Sequence, residues 1–422
     1  MANPESANRN LAFQAQLKIL RGADVALGNF ESTAIDIRDF RGAPQAENGG
    51  QWLVSSPGVP ADLKEMGFSM MNRANNHSTD WGVLGMEQTD HLLDKAGIVH
   101  AGTGRDMADA RAPQYLETPE GRVALVGISA TFPPMSVAAN PAGIVPGRAG
   151  VDVLHTTPWI LVTPAVMRDL VQVANSLPGP PSRKALSGTP ERLVLPLGFG
   201  QRAQFQLSDH KGVHYEMDPE DEAAILRNIR EGKESANLLI ATIHCHQAGM
   251  RLDQPPDFLV KFAHEAIDNG ADAFIGHGPH VLRGIEIYKG KPIFYSLGNY
   301  FFEMYQQQTV PPPLFSAFRL DPNSTTQSEL EHIRTSQEFG KEPFWTSVIA
   351  VTTYSGGQVS EIRLYPVDLG QDRPWNERGV PRLASADVAR SVLQRLANLS
   401  RPFGTTIRIE GSVGIIRLAL TR

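Results

Sequence analysis

Short apolar runs of strand length alternate along the chain with segments whose apolar positions recur every three or four residues, the spacing of a half-buried helix. ADVALG (23–28) and FSMMNR (68–73) predict buried strands, and VLGMEQTDHLLDKAG (83–97) predicts an amphipathic helix stopped by glycine. RVALVGI (122–128) continues the strand series. EDEAAILRNIREGK (220–233) predicts a helix with acidic residues in its first turn, where the helix dipole favours them. The strand NLLIATIH (237–244), the helix DFLVKFAHEAIDNG (257–270) and the strand DAFIGH (272–277) follow in turn. This β-α-β order predicts an α/β fold, a sheet covered by helices rather than an all-β barrel.

Two zones break the pattern. Residues 131–215 are rich in proline and glycine and read as an insertion with one helix near 163–176. From about 343 the segment WTSVIAVTTYSGGQVSEIRLYPV alternates around Gly-Gly, which predicts a β-hairpin. A helix at 385–398 and paired strands at 405–420 then close a single domain spanning 1–422. There is no internal repeat.

Composition narrows the class. The 422 residues are 41% hydrophobic and 20% charged, ordinary globular usage. The net charge of −6, with no block of Lys or Arg, argues against tight binding to nucleic acid or an anionic membrane. Cys245 is the sole cysteine, so no intrachain disulfide forms. No apolar stretch approaches the roughly 18 residues of a membrane span, and MANPESANRN lacks the apolar core of a secretion signal. A soluble, cytoplasmic protein is expected, with its oligomeric state left open.

The candidate chemistry clusters where strands end, the places from which an α/β sheet presents rigidly held loops. NFES (29–32) puts Glu31 just past the first strand, and ANNHSTDWG (74–82) puts Asn75, Asn76, His77 and Asp80 past the second. ATIHCHQ ends a strand with His244 and His246, which alternation places on one face with Cys245 on the other. In GHGPH, Gly278-Pro279 makes a sharp turn that lets His277 and His280 point the same way. Neutral imidazoles, amide oxygens and a carboxylate are the donors that Mn, Fe or Zn accept. The plainer alternatives are a helix-capping turn at 75–80, hydrogen-bonded histidines at a strand end, and a strand-ending turn at Ser296, Gly298 and Asn299. His91, His100, His155, His210, His214, His264 and His332 lack such a setting and read as surface or packing residues. Neither a phosphate-binding G-x-x-x-x-G-K-[ST] loop nor a G-x-S-x-G elbow is present.

Taken in order, NFE, ANNHSTDWG, IHCHQ, GHGPHVLRGIE and KPIFYSLGNYFF resemble the motifs of the CapA family, named for poly-γ-glutamate capsule synthesis. The resemblance runs from about residue 23 to 370. That family is similar to the calcineurin-like metallophosphoesterases, which implies a two-sheet sandwich flanked by helices and a metal centre at strand ends. It further implies Glu31 as bridging carboxylate and Asn76, His244, His277 and His280 as metal ligands. His77 would be a general acid oriented by Asp80. Asn75, His246 and Asn299 are further candidate donors, and Arg251 and Arg283, with Arg202, are candidate contacts for a small or polymeric anionic substrate. The implied activity is a hydrolase acting on a phosphoester or γ-glutamyl-like amide through a metal-bound hydroxide, with one or two divalent ions. Two metals would lie roughly 3.5–4 Å apart. The chain departs from the family pattern in three places. No Gly-Asp precedes residue 23, Gly278 stands where a histidine is usual, and HCH replaces H-W-G. These departures leave two alternatives, a synthesis or export component that binds polymer and a non-catalytic family member.

Overall fold

The computed structural model describes residues 4–45, 52–176, 191–198, 201–303 and 310–418. The fold is mixed α/β. Its largest sheet has the order Ile285–Tyr288, Lys291–Phe294, Ala273–His277, Leu238–His244, Gly121–Ser129 and Gln114–Thr118. The inner strands run parallel, because helices return the chain between them, and an antiparallel hairpin closes each edge.

Alternation along Leu238–His244 divides its side chains between two environments. Ala241, Ile243 and Cys245 enter a core with Ile229 of the helix Pro219–Glu234 and Phe258, Phe262 and Ala266 of the helix Asp257–Asp268. Leu238 and Ile240 face the opposite way and pack with Met70, Ala101, Val123 and Leu125. That second interface joins the large sheet to a three-stranded parallel sheet of order Leu27–Asn29, Met70–Asn72 and Val99–Ala101. Beyond Ile240 the same face carries Thr242 and His244, so apolar packing gives way to polar groups at the strand end.

The first strand begins later than the ADVALG run predicts, because the Ala26 amide donates to the Ser69 hydroxyl at 3.0 Å instead of to a neighbouring strand. Ahead of it lies a helix that the sequence reading did not identify, Leu11–Arg21, capped by Asn10 and burying Phe13, Leu17 and Leu20. The 131–215 region holds the expected helix as Pro164–Ser176. It also holds a four-stranded sheet of order Arg192–Gly198, Gln201–Leu207, Thr156–Val162 and Gly212–Met217, which was not foreseen. Its small core, Val162, Met167, Ala174, Leu193 and Leu195, is too sparse to stand out from the surrounding prolines and glycines.

The tail forms the expected hairpin, Thr346–Ser355 with Gln358–Asp368. Gly356 and Gly357 both take positive φ, 57° and 77°, as a tight two-residue hairpin turn requires. The helix Ala386–Ser400 and the strands Arg408–Glu410 and Val413–Arg417 complete this layer. Its core takes in Leu282, Ile285 and Phe294, tying it to the large sheet. Among the described residues no helix is long and apolar enough to cross a membrane.

The central helix–sheet core sets global stability. Phe262→Ala, at a fully buried position, is expected to cost about 3–5 kcal/mol in denaturant unfolding. A loss below about 1 kcal/mol would contradict this packing.

Candidate metal centre

Glu31 lies in the loop leaving Leu27–Asn29, and the backbone on both sides of it is pinned. The fully buried Arg73 donates through Nη1 to the carbonyl oxygens of Phe30 at 2.8 Å and Ser32 at 3.0 Å, while its Nε binds Asp90 at 2.9 Å. Asn72 and Asn75 both donate to Asn29 Oδ1, at 2.9 and 3.3 Å, and Asn29 Nδ2 donates to Glu31 Oε2 at 3.2 Å. The carboxylate is therefore oriented by three amide side chains and a guanidinium. Arg73 was not picked out from sequence; an arginine closing the otherwise apolar FSMMNR run was its only trace.

The imidazoles arrive from strand ends on the other sheet. His244 Nε2 stands 3.6 Å and His246 Nε2 3.8 Å from Glu31 Oε1. Neither nitrogen has a hydrogen-bond partner, and both atoms are buried. The ligand atoms of Glu31, His246 and His280 all lie within 4.8 Å of one another. His280 holds a left-handed φ of 59°, a conformation that costs a non-glycine residue energy and persists where surrounding contacts impose it. Its Nδ1 meets Asn299 Oδ1 at 2.8 Å, and Asn299 is fixed in turn by donating to Phe344 O at 3.1 Å. Because the amide oxygen can only accept, His280 carries its proton on Nδ1 and keeps the Nε2 lone pair. Gly278, at φ 119°, allows the turn, since a Cβ there would come within 2.9–3.0 Å of the Cys245 backbone.

His277, at the end of the neighbouring strand, lies against His244. Its Nδ1 meets His244 Nδ1 at 2.9 Å and its Nε2 meets Thr242 Oγ1 at 3.0 Å. The nitrogen from the departure HCH, His246, joins Glu31 and His280.

In the turn after Met70–Asn72, His77 Nδ1 binds Asp80 Oδ2 at 2.6 Å, and the same oxygen accepts from the Leu53 amide at 2.8 Å. Asn75 Oδ1 accepts from the His77 amide at 3.0 Å, so Asn75 closes the turn rather than offering its oxygen as a donor to a cation. Asn76 is buried in that turn beside His77. The arginines do not build a cationic groove. Arg283 is fully buried and spends its guanidinium on Leu252 O at 3.1 Å and Gln247 O at 2.7 Å. Arg251 is paired with Asp253 at 2.9 Å, and Arg202 is exposed.

Charge follows from this geometry. Burial pushes the Glu31 carboxyl up, but the surrounding His244, His246 and His280 outweigh it and hold the group well below the usual range. Burial holds His244 well below an ordinary imidazole, His277 down to about 3, and His280 low as well, despite the pull of Glu31. One carboxylate beside imidazole nitrogens, those of His244 and His280 held neutral, is a donor set for a borderline divalent cation. Lone pairs facing a carboxylate out of water repel one another, and a cation shared between them satisfies all of them; the residues present fit such an ion.

Because His244 and His280 resist protonation, protons compete with a metal there only at acid pH. Mn or Zn content, measured by elemental analysis after dialysis, should stay constant as pH falls through about 6.5, the usual imidazole midpoint, and decline below it. Decline already above that midpoint would contradict the assignment. Glu31→Gln and His246→Ala should each weaken metal binding by at least about tenfold in a chelator competition.

Comparison with known proteins agrees with the motif order. Residues 2–304 match the family model for bacterial capsule synthesis protein PGA_cap. The chain is 42% identical over 416 residues to an uncharacterized protein, y4sH, of Sinorhizobium fredii, covering 96% of this chain and 88% of that one. It is 25% identical over 331 residues to the PGA biosynthesis protein CapA of Bacillus subtilis, covering 78% of this chain and 66% of the relative. With the capsule biosynthesis protein CapA of Bacillus anthracis the identity is 26% over 285 residues, 67% of this chain and 52% of the relative. The chain belongs to the bacterial capsule synthesis family PGA_cap.

Proposed function

We propose that the protein is a metal-dependent hydrolase that cleaves a phosphoester or a γ-glutamyl-like amide bond. The observation that carries this reading is Glu31 Oε1 facing the unpartnered Nε2 atoms of His244 and His246 at 3.6 and 3.8 Å, with His280 in reach. The reading includes a metallophosphoesterase-like arrangement, in which the two sheets packed through Met70, Val123, Leu125 and Ile240 bring their strand ends to one cleft.

Glu31, His244, His246 and His280 would hold the ion, with Asn76 beside them. A divalent cation there would polarise the scissile group and acidify water. The remaining chemistry belongs to side chains. Cleavage leaves an alkoxide or an amide nitrogen that needs a proton, and His77 is suited to supply it. Burial opposes a proton on His77, yet the charge and hydrogen bond of Asp80 prevail and raise its pKa above the ordinary imidazole value. Asp80 also fixes the ring by holding Nδ1, so Nε2 is the nitrogen that remains for the proton transfer. A positioned acid of this kind contributes roughly 10²–10⁴-fold. A substrate from polyglutamate capsule metabolism would fit the names of the Bacillus relatives. A purely polymer-binding role is less well supported, because the buried Arg283 presents no cationic surface.

The test is turnover of a chromogenic phosphodiester and of a γ-glutamyl anilide by the Mn- or Zn-loaded protein. Hydrolysis of one, abolished by chelator, is expected; failure on both with stoichiometric metal would overturn the proposal. His77→Asn should lower kcat by about 10²–10⁴-fold with metal content unchanged. Since an acid must keep its proton, activity should fall as pH rises through the raised His77 pKa. Asp80→Asn removes the elevating charge, so that alkaline limb should move to lower pH.

A further inference from the structure

The helix Gln327–Glu338 buries a face that is mostly polar. Leu330, Glu331, Arg334 and Thr335 are its buried residues, and only Leu330 is apolar, where a packed helix normally presents an apolar stripe. An arginine is rarely buried unless its guanidinium is partnered, because the charge is costly out of water. Arg334 is 6% exposed and yet only partly engaged. Its Nε donates to Glu338 Oε2 at 2.8 Å, which anchors one edge of the guanidinium. Its Nη1 is buried with no hydrogen-bond partner, since Glu331 Oε2 stands 3.9 Å away, beyond hydrogen-bond reach. The hydroxyl of Thr335, the next residue along, is buried and unpartnered as well. Two neighbouring donors thus lack an acceptor, and an anion with several oxygen lone pairs is the ligand that satisfies both.

Arg334 is tied to the candidate metal centre through one aromatic ring. Its guanidinium lies over Phe339, 5.6 Å from the ring centroid, and the same ring meets the His280 imidazole edge-on at 6.1 Å. Phe339 is held in place by Phe302, at 5.1 Å, and by its carbonyl oxygen, which accepts from the Trp345 indole at 2.7 Å. The charge of Arg334 is also felt at His77, where it works against the imidazolium. We infer that Arg334 binds an anionic oxygen group of the substrate beside the centre, with the Thr335 hydroxyl as a second donor. This rests on the hydrolase reading, and the group is either the charged oxygens of a phosphoester or the free α-carboxylate of a γ-glutamyl unit. The planar fork of a guanidinium holds two such oxygens at once, which the point charge of a lysine does not.

The test measures KM for a chromogenic phosphodiester and a γ-glutamyl anilide, and calorimetric binding of inorganic phosphate and of L-glutamate, with the Mn- or Zn-loaded protein. Arg334→Met, which keeps the apolar stem, should raise KM and weaken binding of the matching anion about 10–100-fold, with metal content unchanged. Arg334→Lys should fall between parent and Arg334→Met. Loss confined to phosphate and the phosphodiester assigns the site to a phosphoester, and loss confined to glutamate and the anilide assigns it to an α-carboxylate. Parent-like KM and parent-like affinity for both anions in Arg334→Met would overturn the inference. Should Arg334→Met fail to fold, Arg334→Lys decides, with KM expected to rise at least about threefold and a parent KM overturning the inference. A loaded parent that hydrolyses neither substrate would overturn the hydrolase reading, and calorimetry with the two anions would still decide the role of Arg334.

Discussion

The structure turns on a repulsion that the protein does not relieve by itself. A carboxylate and several imidazole lone pairs are brought together where water is scarce, and the nitrogens of His244 and His246 nearest Glu31 have no hydrogen-bond partner. Leaving buried polar groups unpaired costs roughly 1–3 kcal/mol each. A fold that keeps such an arrangement needs braces strong enough to prevent its relaxing. Arg73 on the Glu31 backbone, Asn29 on its carboxylate and Asn299 behind His280 are those braces. The left-handed backbone of His280 belongs with them, because its conformation is imposed by the turn that Gly278 permits.

The braces come from segments far apart in sequence, which explains why the sheets are built as they are. The small parallel sheet delivers Glu31 and the 72–80 turn, and the large sheet delivers His244, His246 and His277. The apolar contacts of Met70, Val123, Leu125 and Ile240 fix the distance between the two sets. Packing at the lower part of the strands thus determines the spacing of polar groups at their ends.

Much of this was legible in the sequence, and for identifiable reasons. Strands and helices with strong periodicity, such as 237–244 and 257–270, lie within a residue or two of where the pattern put them. Alternation separated His244 and His246 from Cys245, whose thiol is in the helix-facing core. The helix Leu11–Arg21 was missed, and so was the sheet within 156–217, where short strands pack a sparse core. At the site, residue type marked the donors but could not tell a ligand from its support. His246 is one of several strand-end histidines, and only the position of Glu31 in space brings it into the cluster. Arg73 was invisible for the same reason, since its role is set by what lies opposite it in space.

The most direct measurement is anomalous diffraction at the manganese or zinc edge from crystals of the metal-loaded protein. The account predicts a peak at coordinating distance, roughly 2.0–2.2 Å, from a Glu31 carboxylate oxygen and from Nε2 of His244, His246 and His280. Saturating metal with no peak beside Glu31, or a peak bound by none of His244, His246 and His280, would contradict it.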